Sequence, residues 1–276
     1  THTNFIIKKI HDGIIGNAYN AVAFYNNNRG RVPNQVPMSP PKGLDWNLFQ
    51  GPAPRRNYTH DTWDYNWRWY GWDYGTGEAG NNATHELDIA RWALDVNYPI
   101  SVNVFADKNH FLDDGWTMYD NMEAKFKFSK NKSINWNGRS RNAFGKNRDG
   151  GRGTIIYGTE GSVFINRKEY ILYDIKGNVI DNVKSNDNES GIALGGGGDM
   201  TTRHMQNFVD SIRHGDTLNS PIDDAVISQS LVHYANISYR SDRSFKIDEK
   251  SGLIYDRDAM KLWSRKYEPG WKINSI

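Results

Sequence analysis

Six short segments with strand character run through the middle of the chain: Ile100–Ala106, Met118–Phe128, Ser133–Trp136, Thr154–Gly158, Ser162–Asn166 and Tyr170–Asp174. Most are rich in β-branched or aromatic residues, and Gly158-Thr-Glu-Gly161 is a strand–turn–strand signal between two of them. Strands joined in succession by short turns pair antiparallel, whereas parallel strands need crossovers of a dozen residues or more. The series therefore restricts the chain to a meander sheet and argues against the alternating strand–helix order of a doubly wound fold. Tyr19–Tyr25 alternates similarly and adds a strand, read as covered on both faces. Ser244–Ile247 closes the set.

Helices fall outside this block. Phe5, Ile6, Ile10 and Ile14 share a helical face, and Gly13 can end that helix. Thr84–Leu94 reads as a short helix, with Leu87, Ala90, Ala93 and Leu94 buried and Asn81 or Asn82 as cap. Met205, Phe208, Val209 and Ile212 recur at i, i+3, i+4 and i+7, after Thr202 as cap and before Gly215. Ser220-Pro221 starts a last helix towards Tyr239, with Asp223 and Asp224 in its first turn. Together these elements predict a single α+β domain over residues 1–276: an open, mostly antiparallel sheet with helices on one face.

Two stretches fit neither pattern. Residues 29–58 hold six of the nine prolines and cannot be regular structure. Trp46, Leu48 and Phe49 give that loop apolar anchors, which predict an ordered, functional segment. Residues 61–80 carry Trp63, Tyr65, Trp67, Trp69, Tyr70, Trp72 and Tyr74 in one run. The chain has 10 tryptophans, 15 tyrosines and about one asparagine in nine residues. That mixture suits a surface offering flat faces to sugar C–H groups and amides to hydroxyls. An aromatic core beneath polar loops fits the same numbers.

Other features exclude whole classes. Lys and Arg total 34 against 32 Asp and Glu, so the chain is not polybasic. Arg139, Arg141, Lys146, Arg148 and Arg152 accordingly read as a solvated loop rather than a nucleic-acid site. Cysteine is absent, which excludes disulfides, thiolate metal sites and thiol nucleophiles but suits a cytoplasmic or a periplasmic protein equally. No two of the eight histidines stand at metal-ligand spacing, so no metal is expected. No apolar run reaches membrane-spanning length. Gly75-Thr-Gly77-Glu-Ala-Gly80 matches a dinucleotide string, but no buried parallel strand leads into it. His85 opens the helix that follows. An imidazole near a helix N-terminus is held neutral and can exchange a proton with a hydroxyl. Filling a polar helix start is its plainer role.

Several blocks, taken in order, resemble the C-terminal domain of the Gfo/Idh/MocA oxidoreductases, the relatives of glucose–fructose oxidoreductase and inositol dehydrogenase. They are Ile10-His-Asp-Gly-Ile-Ile-Gly-Asn-Ala18, Gly43-Leu-Asp-Trp46-Asn-Leu-Phe-Gln-Gly51-Pro-Ala-Pro54, and Tyr74 to Trp92 with Asn81, His85 and Asp88. Tyr157-Gly-Thr-Glu-Gly-Ser162 and His204 to Gly215 complete them. The closing segment, about 248–276 with Trp263 and Trp271, looks like the longer Bacteroidetes-type members, many of which act on sugars.

The resemblance implies a fragment. In the family an N-terminal Rossmann domain binds NAD or NADP and supplies a lysine, and this chain carries neither. Thr1 in place of Met fits an upstream segment having been removed. No cofactor is then expected on this chain alone, which becomes the substrate-binding and oligomerising half of a sugar or polyol dehydrogenase. His85 matches the family's acid/base histidine, with Asn81 where the family commonly has an aspartate that orients it. Asp88 is a possible substitute on an adjacent face. Trp67, Arg68, Trp69 and Tyr74 would shape the sugar site, and Asn82 would offer an amide. A homo-oligomer through the open sheet face is expected, without nucleic-acid or membrane partners. NAD-dependent redox-neutral glycoside hydrolysis and a non-catalytic sugar-binding or assembly module remain the competing expectations.

Overall fold

Strand β1 (Ala18–Asn26) is first in the chain yet lies in the middle of the sheet. The computed structural model describes residues 1–59, 65–146, 150–184, 192–193, 196–197 and 199–272. Among these, one nine-stranded sheet contains β1, β2 (Ser101–Asp107), β3 (Asn121–Lys127), β4 (Ser133–Arg139), β5 (Arg152–Gly158), β6 (Gly161–Ile165), β7 (Glu169–Asp174), β8 (Val179–Lys184) and β11 (Phe245–Lys246). Strands β9 (Ile192–Ala193) and β10 (Gly196–Gly197) form a separate ribbon. The order in the large sheet is β11-β2-β3-β4-β1-β5-β6-β7-β8. Every pairing is antiparallel except β1 with β4, where Ala23 stands beside Trp136.

Helices cover one face. Helix α1 (His2–His11) is capped by the Thr1 hydroxyl and buries Ile6, Ile7 and Ile10. Helix α3 (Thr84–Leu94) lies across β1 and β5, and α5 (Ile222–Ser241) packs against α3 and β2. Leu87, Ala90, Ala93 and Leu94 are all buried, as their spacing predicts. They meet Ala21, Ala23, Ile134, Ile156 and Leu231 in one core. Burying a side chain of leucine or isoleucine size contributes about 1.5–3 kcal/mol, so this face holds the domain together.

The opposite sheet face is open. Along β1 only alternate residues, from Ala18 through Ala21, Ala23 and Tyr25, are buried, so the strand is covered on one face rather than two. Phe105 is 71% exposed there.

Some boundaries differ from the sequence reading for identifiable reasons. The segment predicted from Met118 pairs only from Asn121, because the buried Asp120 carboxylate accepts the Asn109 and His110 N–H groups and turns the chain. Strand β8 escaped notice because all six side chains are exposed and none alternates with a buried neighbour. The Pro-rich loop is ordered but contains a helix, α2 (Trp46–Gln50), capped by Asp45. Its start is clamped where Val32 N–H donates to Asp114 and the Tyr70 hydroxyl to the Pro33 carbonyl. The C-terminal segment straps it down: Glu268 accepts from Arg55 N–H and donates its own N–H to Pro52. Helix α4 (Asp199–His214) starts ahead of Thr202, which therefore sits inside it rather than capping it. Its apolar stripe is uncovered, with Met205, Phe208 and Ile212 at 53%, 50% and 71% exposure. A short helix α6 (Arg257–Met260), capped by Asp256, precedes the tail.

The arginine-rich stretch is not one solvated loop. Arg141 is buried against Asp114 beneath Trp116, and Arg139 pairs with Glu123 at 3.0 Å. Arg152 pairs with buried Glu86, and Arg148 lies outside the described residues.

Candidate functional site

The site is built where the chain enters α3. Gly77 takes a left-handed φ of +64° and turns the chain out of the aromatic run. Ala79–Ala83 then form one π-helical turn that continues directly into α3. Such insertions widen the helix by a residue and re-aim side chains, and they concentrate at functional sites. The widened turn has a chemical partner: Glu78, at its mouth, accepts from the Asn81 amide at 2.9 Å and from the Asn82 amide. Asparagines 81 and 82 are therefore not caps of α3. Its cap position is Ala83, which makes no side-chain bond.

Glu78 also holds Arg29 at 2.8 Å. Arg29 lies 5.0 Å over the Trp69 ring and donates to the Tyr25 hydroxyl at 3.3 Å, and Asn27 donates to the same hydroxyl at 2.6 Å. Burial opposes the charge on Arg29, but Glu78 outweighs it and raises the guanidinium pKa. Burial, then Glu78, pushes the Tyr25 phenol up. A second carboxylate, Glu86, accepts from Arg152 Nε at 2.7 Å, and Arg152 also reaches the Asn82 carbonyl oxygen at 3.3 Å. Burial pushes the Glu86 carboxyl up and Arg152 pulls it down, leaving it raised. Asn82 thus links two buried ion pairs.

His85 stands on the open side of α3 with Asp88 and Trp92. It makes no hydrogen bond to any described residue, while every neighbour named above is tied down. The residue is exposed. Desolvation by the surrounding atoms, then Arg167 and Arg152, lowers its pKa to about 4. The helix N-terminus is not the cause, because helical backbone already begins at Ala79. His85 is therefore a neutral imidazole at pH 7, with both ring nitrogens available to a ligand.

The remaining predicted site residues are placed apart. Asp88 accepts from the Ser228 hydroxyl and does not touch His85. Trp69 is 1% exposed and stacks on Trp116 at 4.2 Å, in a second core with Val32, Tyr70 and Met118. Trp67 and Arg68 are half-buried and stacked on one another, the guanidinium 4.3 Å from the indole. Tyr74 belongs to the Pro-rich loop: its hydroxyl donates to Gln50, its ring meets Trp46 edge-on, and Arg56 lies over it at 4.3 Å. Trp63 lies outside the described residues.

Glu78, Arg29, Tyr25, Arg152 and Arg167 went unassigned in the sequence reading. A signal existed for Glu78, three and four residues before two asparagines in a helical register. None existed for the arginines, which arrive from positions distant in the sequence.

The Gly75–Gly80 string does not fit a dinucleotide. A side chain at Gly75 would run into the Arg68 carbonyl and one at Gly80 into Thr76, so these glycines serve internal packing. Among the described residues no group of three His, Asp or Glu side chains could hold a metal ion. Nor is any helix long and apolar enough to cross a membrane.

Comparison with known proteins agrees with this architecture. The model of an oxidoreductase family's C-terminal α/β domain, from the Gfo/Idh/MocA group, matches residues 22–273. Among solved structures, levoglucosan dehydrogenase in complex with NADH and levoglucosan is 20% identical, with a TM-score of 0.59 over 87% of this chain and 61% of its own. Aldose-aldose oxidoreductase from Caulobacter crescentus, complexed with glycerol, is 15% identical, with a TM-score of 0.58 over 89% and 60%. A putative myo-inositol dehydrogenase from Sinorhizobium meliloti 1021 is 16% identical, with a TM-score of 0.54 over 90% and 62%. At these identities the likeness shows a shared fold, and the chain spans about three fifths of the length of these structures. No curated protein matches the sequence. With the family model covering nearly its whole length, the chain belongs to the Gfo/Idh/MocA oxidoreductases and carries their C-terminal α/β domain.

Proposed function

We propose that this domain binds the substrate of an NAD(P)-dependent sugar or polyol oxidoreductase, and that His85 exchanges the proton of the reacting hydroxyl. His85 itself carries the reading: it is a neutral, exposed imidazole that makes no hydrogen bond to any described residue, while Glu78, Asn81 and Asn82 in the turn before it are all bonded. Neighbours named for levoglucosan, aldose and inositol chemistry support a polyhydroxylated substrate. Nicotinamide supplies the hydride chemistry when bound, and the described residues form no dinucleotide cradle of their own. This chain's part is to place a carbinol against His85 and receive its proton. The open sheet face, where the Phe24 and Phe164 rings stack and Phe105 and Tyr157 are exposed, supports self-association through that face.

The test is a steady-state assay of the protein carrying this domain, with sugars, polyols and either NAD or NADP. Sugar-dependent NAD(P)H formation is expected, and His85→Ala should lower kcat/KM by about 10²–10⁴-fold. An undiminished rate in that variant would overturn the assignment. Release of the aryl group from aryl glycosides without added cofactor would replace it with redox-neutral glycoside hydrolysis.

A further inference from the structure

The β5–β6 hairpin brings two arginines to one of its ends. Its ladder pairs Thr154 with Ile165 and Ile156 with Val163. Arg152 stands two residues before Thr154, and Arg167 two residues after Ile165 in the turn from Asn166 to Glu169, at the same end of the hairpin. Two guanidiniums brought close together repel unless something neutralises them. Among the described residues the carboxylate that acts on both is Glu86, from α3, and Arg152 holds it at 2.6–2.7 Å. The Thr154 hydroxyl fixes α3 above this point by donating to the Glu86 carbonyl at 3.1 Å. Arg167 is half-buried and makes no hydrogen bond or ion pair with any described residue.

The turn that carries Arg167 is rigid. Asn166 Oδ1 accepts from the N–H groups of Lys168 and Glu169, and the Asn166 carbonyl is within 2.9 Å of His2 Nε2 on α1. Arg167 therefore projects from a fixed backbone as a cation with no ion-pair partner among the described residues. Burial and then Arg152 lower its pKa, and it lowers that of His85 in turn. A guanidinium so placed suits a planar anion that it can grip with two N–H groups.

We propose that Arg167, backed by Arg152 and flanked by His85, forms an anion-binding subsite that takes the carboxylate of a sugar acid or a phosphate group. This rests on the reading of His85 as the substrate-facing group and narrows the substrate class from neutral sugars to those with an anionic substituent. It also gives His85 a stronger role. A bound anion offsets the two guanidiniums, so the imidazole becomes more basic only once the charged ligand is in place.

The test follows the ring resonances of His85 by NMR in the 276-residue chain. The titrants are glucuronate, glucose and inorganic phosphate at constant ionic strength. Saturable shifts are expected with at least one anion and none with glucose, together with a rise in the His85 titration midpoint. Arg167→Gln should weaken binding by about tenfold or more, the loss of a charge-assisted pair. Arg139→Gln, on an exposed pair with Glu123 elsewhere, should leave binding unchanged. Tighter binding of glucuronate identifies a sugar carboxylate as the ligand, and tighter binding of phosphate a phosphate group. No saturable shift with either anion, or equal shifts in Arg167→Gln, overturns the subsite. The functional reading fails separately, if His85→Ala keeps full activity while anions still bind.

Discussion

Glu78 and His85 sit seven residues apart and do opposite kinds of work. Glu78 is buried and bonded to Arg29, Asn81 and Asn82. Removing its charge leaves the Arg29 guanidinium without a counter-ion in a largely buried place. Glu78→Gln should therefore destabilise the domain by about 3 kcal/mol or more, read as a lower urea midpoint. His85 is exposed, and its consequences show in pH dependence instead. Its ordinary value of 6.5 falls to about 4 on folding, so the unfolded chain binds the proton first. This residue costs nothing above about pH 6.5, a growing amount as pH falls from there to about 4, and a constant amount below. The wild type should thus lose more stability than His85→Gln between pH 7 and 4 in paired urea titrations. Equal slopes would show that the ring is not held neutral.

At the scale of elements, the π turn decides the site. Had Ala79–Ala83 been α-helical, His85 would point about 100° away from its present direction relative to Glu78, and Asn81 and Asn82, inside the turn, by less. Gly77 makes the turn possible through its positive φ, and a Cβ there would come within 3.1 Å of Met118 Sδ and the Tyr119 hydroxyl. Gly77→Ala should cost about 1–3 kcal/mol in stability, from strain in the left-handed region plus that contact. It should also shift the His85 resonances, which a purely remote defect would not do. Helix α3 itself was readable in advance because its buried face follows a 3.6-residue period. The π turn was not, because Ala-Gly-Asn-Asn-Ala has no apolar period and its geometry is set by Glu78 and by the Tyr119 hydroxyl, which accepts from Ala79 N–H.

At the scale of the whole molecule, two surfaces lie uncovered: the open sheet face and the stripe of α4. The sheet face is the broader, and it mixes Phe24, Phe105, Tyr157 and Phe164 with Asn103, Asn135 and Asn137. Self-association through it predicts a dimer or larger species by light scattering at micromolar concentration. Phe105→Glu should shift that equilibrium towards monomer while leaving the thermal unfolding of the monomer within about 0.5 kcal/mol, as expected for an exposed position. A wild-type monomer at those concentrations would refute the interface.

Local pattern was enough for the central strand series, α1, α3, α5 and a mostly antiparallel sheet with helices, because alternation and helical period record which side of each element meets the core. It also singled out His85, through its place at the start of a helix and through family resemblance. It misjudged Trp69, since an aromatic run looks the same whether it faces a sugar or stacks on Trp116. Folding alone decided the charges. Arg29 meets Glu78 across 49 residues, Arg152 meets Glu86 across 66, and Arg167 comes to the same end of the β5–β6 hairpin as Arg152. Ion pairing depends on distance in space, and no period along a chain encodes it.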